Sequence, residues 1–216
     1  SFKDISMKCF LWDEQKFFIV NRKEEITDNV FLITDYEEEK IKETLEKGGI
    51  IWTEGKEIKW SGPKPDKFYE WEEATKQWVV NETLHKKALE DLRALLWESI
   101  KAHRLFKSTD GTLVPSINKW VHTDEVSQTT YTRAKDYLEL HPEEVIKWKM
   151  LDGSFVKVSA ELLKEICSRV FQAGQEAFIA AEKHKYNIFL INEIDQLEEY
   201  DYRANWPTTY SDTLET

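Results

Sequence analysis

The sequence contains few of the residues that mark specialised folds. Its 216 residues include only two cysteines and seven glycines. Cys9 and Cys167 stand far apart without CxxC or histidine-rich spacing, so neither a disulfide framework nor a structural zinc site is expected. There is also no P-loop and no GxGxxG, HExxH or GxSxG pattern. We therefore expect no metal, no cofactor and no enzyme activity.

Long apolar runs and an excess of positive charge are lacking as well. The longest apolar runs, such as residues 17–20 and 177–181, are far shorter than the roughly 20 residues that span a bilayer, and no apolar signal segment begins the chain. The net charge is −11, whereas nucleic-acid binding needs clustered Lys and Arg. We expect a protein made in the cytoplasm, without membrane insertion and without nucleic acid. Its partners would be proteins, neutral glycans or cationic surfaces.

Tryptophan, in contrast, is abundant, with nine residues in the chain. Residues 60–80 alone, WSGPKPDKFYEWEEATKQWVV, hold three of them beside a Gly-Pro-x-Pro turn. Because Trp and Tyr serve equally in cores and in binding surfaces, composition leaves both roles open for this stretch.

The first 80 residues read as short strands and turns around one helix. The helix is predicted over residues 36–47, with Asp35 as its cap and Gly48-Gly49 at its end. Alternation and turn residues predict three hairpins. Their strand pairs are residues 7–12 with 16–21, 50–53 with 57–60, and 68–71 with 77–80.

From Asn81 the apolar period changes from two to about 3.6. One helix is predicted from Asn81 to about residue 106. A second is predicted over residues 124–140 and is capped by Thr123. A hairpin follows over residues 146–158. Ser159 then caps the longest helix, whose apolar positions form one stripe that packs on the two earlier helices. The stripe contains Phe171, which we expect in the core, and Gly174, which we expect at a bend or a close helix contact.

These patterns predict an α+β fold with two modules. A small β-rich domain occupies residues 1–81, and a mainly helical domain with one β-hairpin occupies residues 82–207. The polar tail, residues 208–216, is expected to be disordered.

The sequence gives only weak signals for catalytic residues. The five histidines lack metal-ligand spacing, and a helix-entry loop explains His122-Thr123-Asp124 better than an imidazole–carboxylate pair. With 41 acidic residues, a glycosidase-like carboxylate pair stays open, although chance supplies such pairs. An acidic nucleic-acid mimic is a further alternative.

The opening stretch resembles the tail fibre assembly proteins of tailed phages and prophages over roughly residues 5–95. The family pattern has a Gly-Pro segment, a further Pro, then Tyr-x-Trp and a second Trp-Val. The matching residues here are Gly62, Pro63, Pro65, Tyr69, Trp71, Trp78 and Val79. Residues 100–104, 122–127, 146–163 and 206–207 are similar to an uncharacterised domain of tail-fibre-related phage proteins. Neither resemblance implies catalytic residues.

The resemblance implies a chaperone that binds the C-terminal part of a trimeric tail fibre during assembly in the bacterial cytoplasm. Some members of the family are thought to stay at the fibre tip of the virion and to contribute to host recognition. Intertwined fibre strands have unpaired edges that aggregate, so a partner that covers them has a purpose. The alternatives are a glycan-binding protein of the tail tip and a hydrolase that acts on host surface polysaccharide.

The aromatic residues are expected to divide between two roles. Tyr69 and Trp71 share one strand face, and Trp78 faces them across the turn, so these rings and the Gly62-Pro63-x-Pro65 turn are interpreted as mostly structural. Partner-binding aromatics are expected at positions that border less regular segments. These are Trp12, Trp52 and Trp60.

Overall fold

The computed structural model describes residues 6–215. Helices make up 47% and strands 21% of the structure, with a small β-rich region followed by a helical part, so the α+β prediction is confirmed. The chain divides into two compact units, Ser1–Lys86 and Lys87–Thr216. The division falls inside a helix, a few residues beyond the predicted boundary after residue 81.

Between residues 6 and 81 the structure has seven strands and one α-helix. In chain order they are β1 (Met7–Leu11), β2 (Lys16–Val20), a 3₁₀ turn (Lys23–Glu25), β3 (Val30–Leu32), α1 (Asp35–Glu46), β4 (Ile51–Glu54), β5 (Glu57–Trp60), β6 (Tyr69–Glu72) and β7 (Gln77–Val80). The strands form an antiparallel sheet in the order β2-β1-β3 and the separate hairpins β4-β5 and β6-β7. All three predicted hairpins are present, and β3 is an additional strand.

Helix α1 closes the core of this unit. Thr34, and not Asp35 as expected, is its N-cap, because the Thr34 hydroxyl accepts from the Glu37 N–H while the Glu37 carboxylate accepts from the Thr34 N–H. This reciprocal pair is a capping box. Lys47 is the C-cap of this helix and is followed by Gly48, whose φ is +71°. Its buried Ile41 joins a cluster of Phe10, Phe31, Ile33 and Ile58.

The second unit begins inside a long helix. In chain order its elements are α2 (Glu82–Thr109), β8 (Thr112–Val114), β9 (Lys119–Val121), α3 (Glu125–Leu140), β10 (Ile146–Lys149), β11 (Phe155–Val158), α4 (Ala160–Leu190), α5 (Ile194–Glu198) and a 3₁₀ helix (Tyr210–Leu214). Two hairpins, β8-β9 and β10-β11, are present where one was predicted. The missed hairpin has strands of only three residues, too short to show alternation in the sequence.

Helix α4 contributes side chains to two separate apolar clusters. Its N-terminal half packs with α3 and both hairpins, and its C-terminal half packs with α2 and α5. Ser159 caps α4 as predicted, whereas α3 is capped by Asp124 rather than Thr123. The Thr123 hydroxyl is buried and accepts instead from the Gly111 N–H.

The expectation for Phe171 in α4 is wrong, and one of the two roles expected for Gly174 is excluded. Phe171 is 69% exposed and therefore lies outside the core. Gly174 marks no close helix contact, because a Cβ added there would meet nothing within 4 Å. Phe171 lies on a side of the helix that the rest of the second unit leaves uncovered, whereas Gly174 lines a groove with Arg104 and Leu105 of α2.

The C-terminal segment was expected to be disordered, but it folds onto the loop after α2. Asp110 accepts from the Thr209 hydroxyl at 2.7 Å, the Ser211 N–H at 3.0 Å and the Ser211 hydroxyl at 2.7 Å. Lys107, which is 8% exposed, donates to Asp212 at 2.7 Å. Polar composition suggested disorder, whereas these short polar side chains all find partners. Thr216, the last residue of the predicted tail, lies outside the described residues.

Candidate functional site

The Gly-Pro-x-Pro segment and the preceding Ser61 are hydrogen-bonded to and packed against the connection between α1 and β4. The Ser61 N–H donates to the Ile50 carbonyl, and the Ser61 hydroxyl accepts from the Ile50 N–H, each at 2.8 Å. A Cβ on Gly49 would lie 2.2 Å from the carbonyl oxygen of Gly62. Gly62 itself has φ +76°, a region that favours glycine. The turn before Pro63 and Pro65 is therefore fixed by close backbone packing.

Three tryptophans from two hairpins form one cluster. Trp71 lies opposite Trp78 in the β6-β7 register, with ring centroids 5.2 Å apart. Trp52 of β4 lies 5.5 Å from Trp71. A structural role was expected for Trp71 and a partner-binding role for Trp52. The structure places the two rings in contact, so these expected roles do not belong to two separate places in the fold.

Polar side chains contact the exposed edge of this tryptophan cluster. The indole N–H of Trp52 donates to Glu54 at 3.0 Å, and that of Trp71 donates to Glu73 at 2.9 Å. The Lys76 ammonium lies 5.5 Å from the Trp52 ring and also pairs with Glu73. The hydrogen bonds from Lys76 and Trp71 lower the pKa of Glu73. All three rings are only half-buried, so the cluster joins the two hairpins while leaving ring surface accessible.

A groove of about 560 Å³ lies beside this cluster, and we call it the strand groove. Its lining residues come from β3, the first turn of α1 and the β4-β5 hairpin. They are Leu32, Glu37, Trp52, Lys56, Glu57, Ile58, Lys59 and Trp60. Two of the three predicted partner-binding tryptophans, Trp52 and Trp60, therefore line one groove. Trp12 does not line it, because its ring packs against Phe10 and Phe31.

The strand groove is bordered by β3, whose outer edge is open. The Ile33 N–H donates to Lys8 of β1, and the Trp12 N–H donates to Asn29. Since paired and unpaired residues alternate along an antiparallel ladder, the N–H and C=O of Leu32 point away from β1. Within residues 6–215, β3 has no strand on that side.

The second border is β5, and its outer edge is open in the same way. The bond from the Ser61 N–H to the Ile50 carbonyl sets the β4-β5 ladder. By the same alternation, the backbone groups of Ile58 and Trp60 point away from β4. No other strand pairs with β5 in the described part of the chain. The strand groove is thus lined by three residues whose backbone groups the two ladders leave unpaired, Leu32, Ile58 and Trp60, and by two indole rings.

The charges around the strand groove are balanced. Two acidic residues, Glu37 and Glu57, and two lysines, Lys56 and Lys59, line it. Lys59 pairs with Glu57 at 3.0 Å, and this hydrogen bond raises the pKa of Lys59. A groove with paired charges selects no strong charge of either sign in its occupant.

The tryptophan planes do not form a flat platform. The Trp52 and Trp71 rings are inclined by 44°, and the Trp71 and Trp78 rings by 69°. A glycan-binding site would present exposed, coplanar Trp rings with Asp, Asn or Gln side chains nearby. The cluster lacks that arrangement.

Comparison with protein families matches residues 91–204 to a domain of unknown function, DUF4376. The match covers more than half of the 216 residues. The protein belongs to the DUF4376 family. The family description assigns no activity, and it does not mention phage tail fibres. No curated protein and no solved structure matches the chain.

The DUF4376 region covers most of the segments that resembled an uncharacterised phage domain, although Trp206-Pro207 lies just beyond it. Within residues 6–215, no helix is both long and apolar enough to cross a membrane. The same residues include no group of three or more His, Cys, Asp or Glu that could hold a metal ion.

A buried histidine network closes the C-terminal half of the DUF4376 region. His184 is 3% exposed, donates through Nε2–H to the Ala204 carbonyl at 2.7 Å and accepts at Nδ1 from the Tyr200 hydroxyl at 2.5 Å. Its ring stacks on Trp206 at 5.2 Å. Sequence reasoning searched the histidines only for metal spacing, but the helical spacing of Ala181, His184 and Ile188 places His184 on the buried side.

His103 of α2 packs against the same Trp206 ring at 4.9 Å. Its Nε2 is buried and has no hydrogen-bond partner among the described residues. Burial first, and then the charges of Lys107 and Arg203, lower the pKa of His103, against a smaller opposing effect of Asp212. The neutral ring is therefore the favoured form in the folded protein.

This lowered pKa predicts loss of stability in acid. Because the unfolded chain binds a proton at His103 more readily, the free energy of unfolding should be constant above about pH 7 and fall as the pH drops below about 6.5. Urea unfolding of the full chain at pH 7.5 and pH 5.5 measures this fall. In His103→Phe the fall should be smaller, and an unchanged fall would contradict the assignment to His103. His141→Phe, at an exposed histidine, is the matched control.

Proposed function

We propose that the protein is a tail fibre assembly chaperone whose N-terminal unit binds an extended segment from the C-terminal part of the fibre. The observation that supports this proposal is the strand groove, where the open edges of β3 and β5 meet the rings of Trp52 and Trp60. An added strand would satisfy the outward backbone groups of Leu32, Ile58 and Trp60. Addition of a strand to an open edge is a common mode of peptide recognition.

Fibre chains that have not yet assembled need a partner that pairs with their exposed strands. Intertwined β-rich fibres expose unpaired edges before they assemble, and such edges pair with the wrong chains. Backbone pairing is tolerant of sequence, and the indoles supply apolar contact area. The motif from Gly62 to Val79, which resembles tail fibre assembly proteins, builds the β6-β7 hairpin that supports Trp52. The balanced charges of the groove suit a neutral strand.

Co-expression with a C-terminal fragment of the cognate tail fibre tests this function. We expect the wild-type chain to raise the soluble fraction of the fragment and to be captured with it. Leu32→Glu places a charge in the strand groove, and Trp60→Ala removes one ring. Each variant should weaken fragment binding at least about tenfold, as truncation of a central anchor does.

Ile19→Glu is the matched control, because Ile19 is 61% exposed on β2, the opposite edge strand of the same sheet, and Leu32 is 51% exposed. This control should bind normally. Thermal melts of each purified variant separate lost binding from lost folding. If Leu32→Glu and Ile19→Glu bind equally well, the strand groove is not the binding site. If the wild-type chain neither binds nor solubilises the fragment, the chaperone proposal is wrong.

A further inference from the structure

Helix α4 is apolar on two opposite sides. The inner side is buried within the second unit and includes Leu163, Ile166, Val170, Ala177, Ala181 and Ile188. The outer side we call the outer face. Its apolar residues are Phe171, Phe178, Ile179, Tyr186, Phe189 and Leu190, which are 50–69% exposed, and the exposed Gln175 and Glu182 lie between them. At 3.6 residues per turn, these six positions fall within a sector of about 120° that lies away from the inner side.

The outer face is too large to be incidental. Aromatic side chains bury about 150–250 Å² each, so the exposed fractions leave roughly 600 Å² of this face uncovered. The largest apolar patch on a typical monomer is about 300–600 Å². A standard interface buries about 800 Å² per partner. The outer face and its polar rim therefore reach the area that a specific dimer needs.

Contacts with α2 hold the outer face in place. The Arg104 guanidinium lies 5.6 Å from the Phe178 ring, and that of Arg93 lies 5.9 Å from the Phe189 ring. Arg93 also donates to the carbonyls of Ile188 and Ile191 at the end of α4, at 3.1 and 2.5 Å. The rings are thus positioned before any partner arrives.

A shallow groove crosses the middle of the outer face. It has a volume of about 340 Å³ and is lined by Phe178, Ile179, Glu182, Lys183, Tyr186 and Asn187. An aromatic ring from another molecule fits a groove of this size and lining.

We infer that a second copy of this chain covers the outer face, with the two α4 helices antiparallel about a two-fold axis near residue 180. Phe171 and Phe189 are 18 residues apart, which is about five helical turns, so they point the same way. In this register Phe171 of one copy meets Phe189 of the other, and Phe178 enters the central groove. A two-fold contact uses the same patch on both copies and closes without forming a fibre.

The charges beside the outer face favour the antiparallel direction. Glu176 and Lys183 flank it on the same side, and the register that pairs Phe171 with Phe189 also brings Glu176 of each copy to Lys183 of the other. Opposite charges brought together across an interface help to fix its register. This inference is independent of what the strand groove binds.

Sedimentation equilibrium of the full chain tests the dimer. We expect a mass about twice 25.6 kDa for the wild type and 25.6 kDa for Phe178→Glu at the same concentration. Val126→Glu is the matched control, since Val126 is 76% exposed on α3, and it should remain dimeric. A wild-type mass of one chain, or of three or more, overturns the inference. Equal dissociation by Val126→Glu also overturns it.

Charge reversal tests the register. Glu176→Lys and Lys183→Glu should each raise the dissociation constant at least about tenfold, and the double variant should restore it. Melting curves at high dilution show whether each variant still folds as a monomer. A double variant that dissociates as readily as the single variants, with unchanged melting, overturns the antiparallel arrangement.

Discussion

Replacing Ile166 with alanine is expected to lower the free energy of unfolding of the second unit by about 2–5 kcal/mol. Ile166 is fully buried in the cluster that joins α4 to α3 and both hairpins. The substitution removes three carbon atoms and leaves a cavity among residues of α3, α4 and both hairpins. Such a site collapses poorly, which places the expected loss in the upper part of the range. Urea unfolding followed by far-ultraviolet circular dichroism measures it.

Phe171→Ala is the matched control on the same helix. Phe171 is 69% exposed, so its truncation should change the free energy of unfolding by no more than about 0.5 kcal/mol. The measurement belongs at high dilution, where self-association through the outer face does not contribute. If the two losses are equal, the inner and outer sides of α4 are assigned wrongly.

Removing the carboxylate of Asp212 is expected to have the second large effect on stability. In Asp212→Ala, the Lys107 ammonium, whose side chain is 7% exposed, loses its ionic partner and keeps only the Thr209 hydroxyl at 3.2 Å. Breaking a buried pair costs about 3–5 kcal/mol, and partial exposure reduces that figure. Because the Asp212 side chain is 39% exposed, we expect a loss of about 2–3 kcal/mol.

Lys107→Met should cost less than Asp212→Ala. It leaves an unpaired carboxylate that water reaches, and the methionine fills the space of the lysine stem. Thermal melts of both variants measure the difference in stability. A larger loss for Lys107→Met would show that the lysine stem, and not the charge pair, carries the stabilisation.

The stabilisation by the Lys107–Asp212 ion pair depends on pH. The hydrogen bond from Lys107 lowers the pKa of Asp212 in the folded protein. A lowered carboxylate pKa contributes stability above its unfolded value, near 3.8, and this contribution is lost as the pH falls through the folded value. The difference between the wild type and Asp212→Ala should therefore be constant from pH 5 to 8 and shrink below about pH 4.

Local signals in the sequence predicted much of the fold. Ser159 precedes an apolar period, and it caps α4. Gly48-Gly49 follows α1, and Gly48 adopts the positive φ that ends it. Alternation around Trp71 and Trp78 predicted their cross-strand pairing, since a tight hairpin fixes its register. Each of these features depends on residues within one or two turns of each other.

The outer face of α4 shows where such reasoning failed. Val170 and Phe171 are adjacent and both apolar, yet one is 8% and the other 69% exposed. Periodicity identified the apolar positions, but they occupy two sides of the helix and were merged into one stripe. Only the packing of α2, α3 and the hairpins decides which side is covered.

The site was predicted in part. The sequence singled out Trp52 and Trp60, and both line the strand groove. Their arrangement beside Leu32 was not predictable, because β3 has only three residues and is too short to show alternation. The contact of Trp52 with Trp71 joins two hairpins through tertiary packing, and no spacing along the chain encodes it.

The contact between Trp52, Trp71 and Trp78 gives the N-terminal unit an optical label of its own. With ring centroids 5.2 and 5.5 Å apart and planes inclined to one another, the electronic transitions of these indoles mix and split into circular-dichroism bands of opposite sign. Among the described residues, the tryptophans of the second unit form no such pair. The split bands therefore follow the N-terminal unit alone, and an occupant that moves Trp52 would alter them without any added dye.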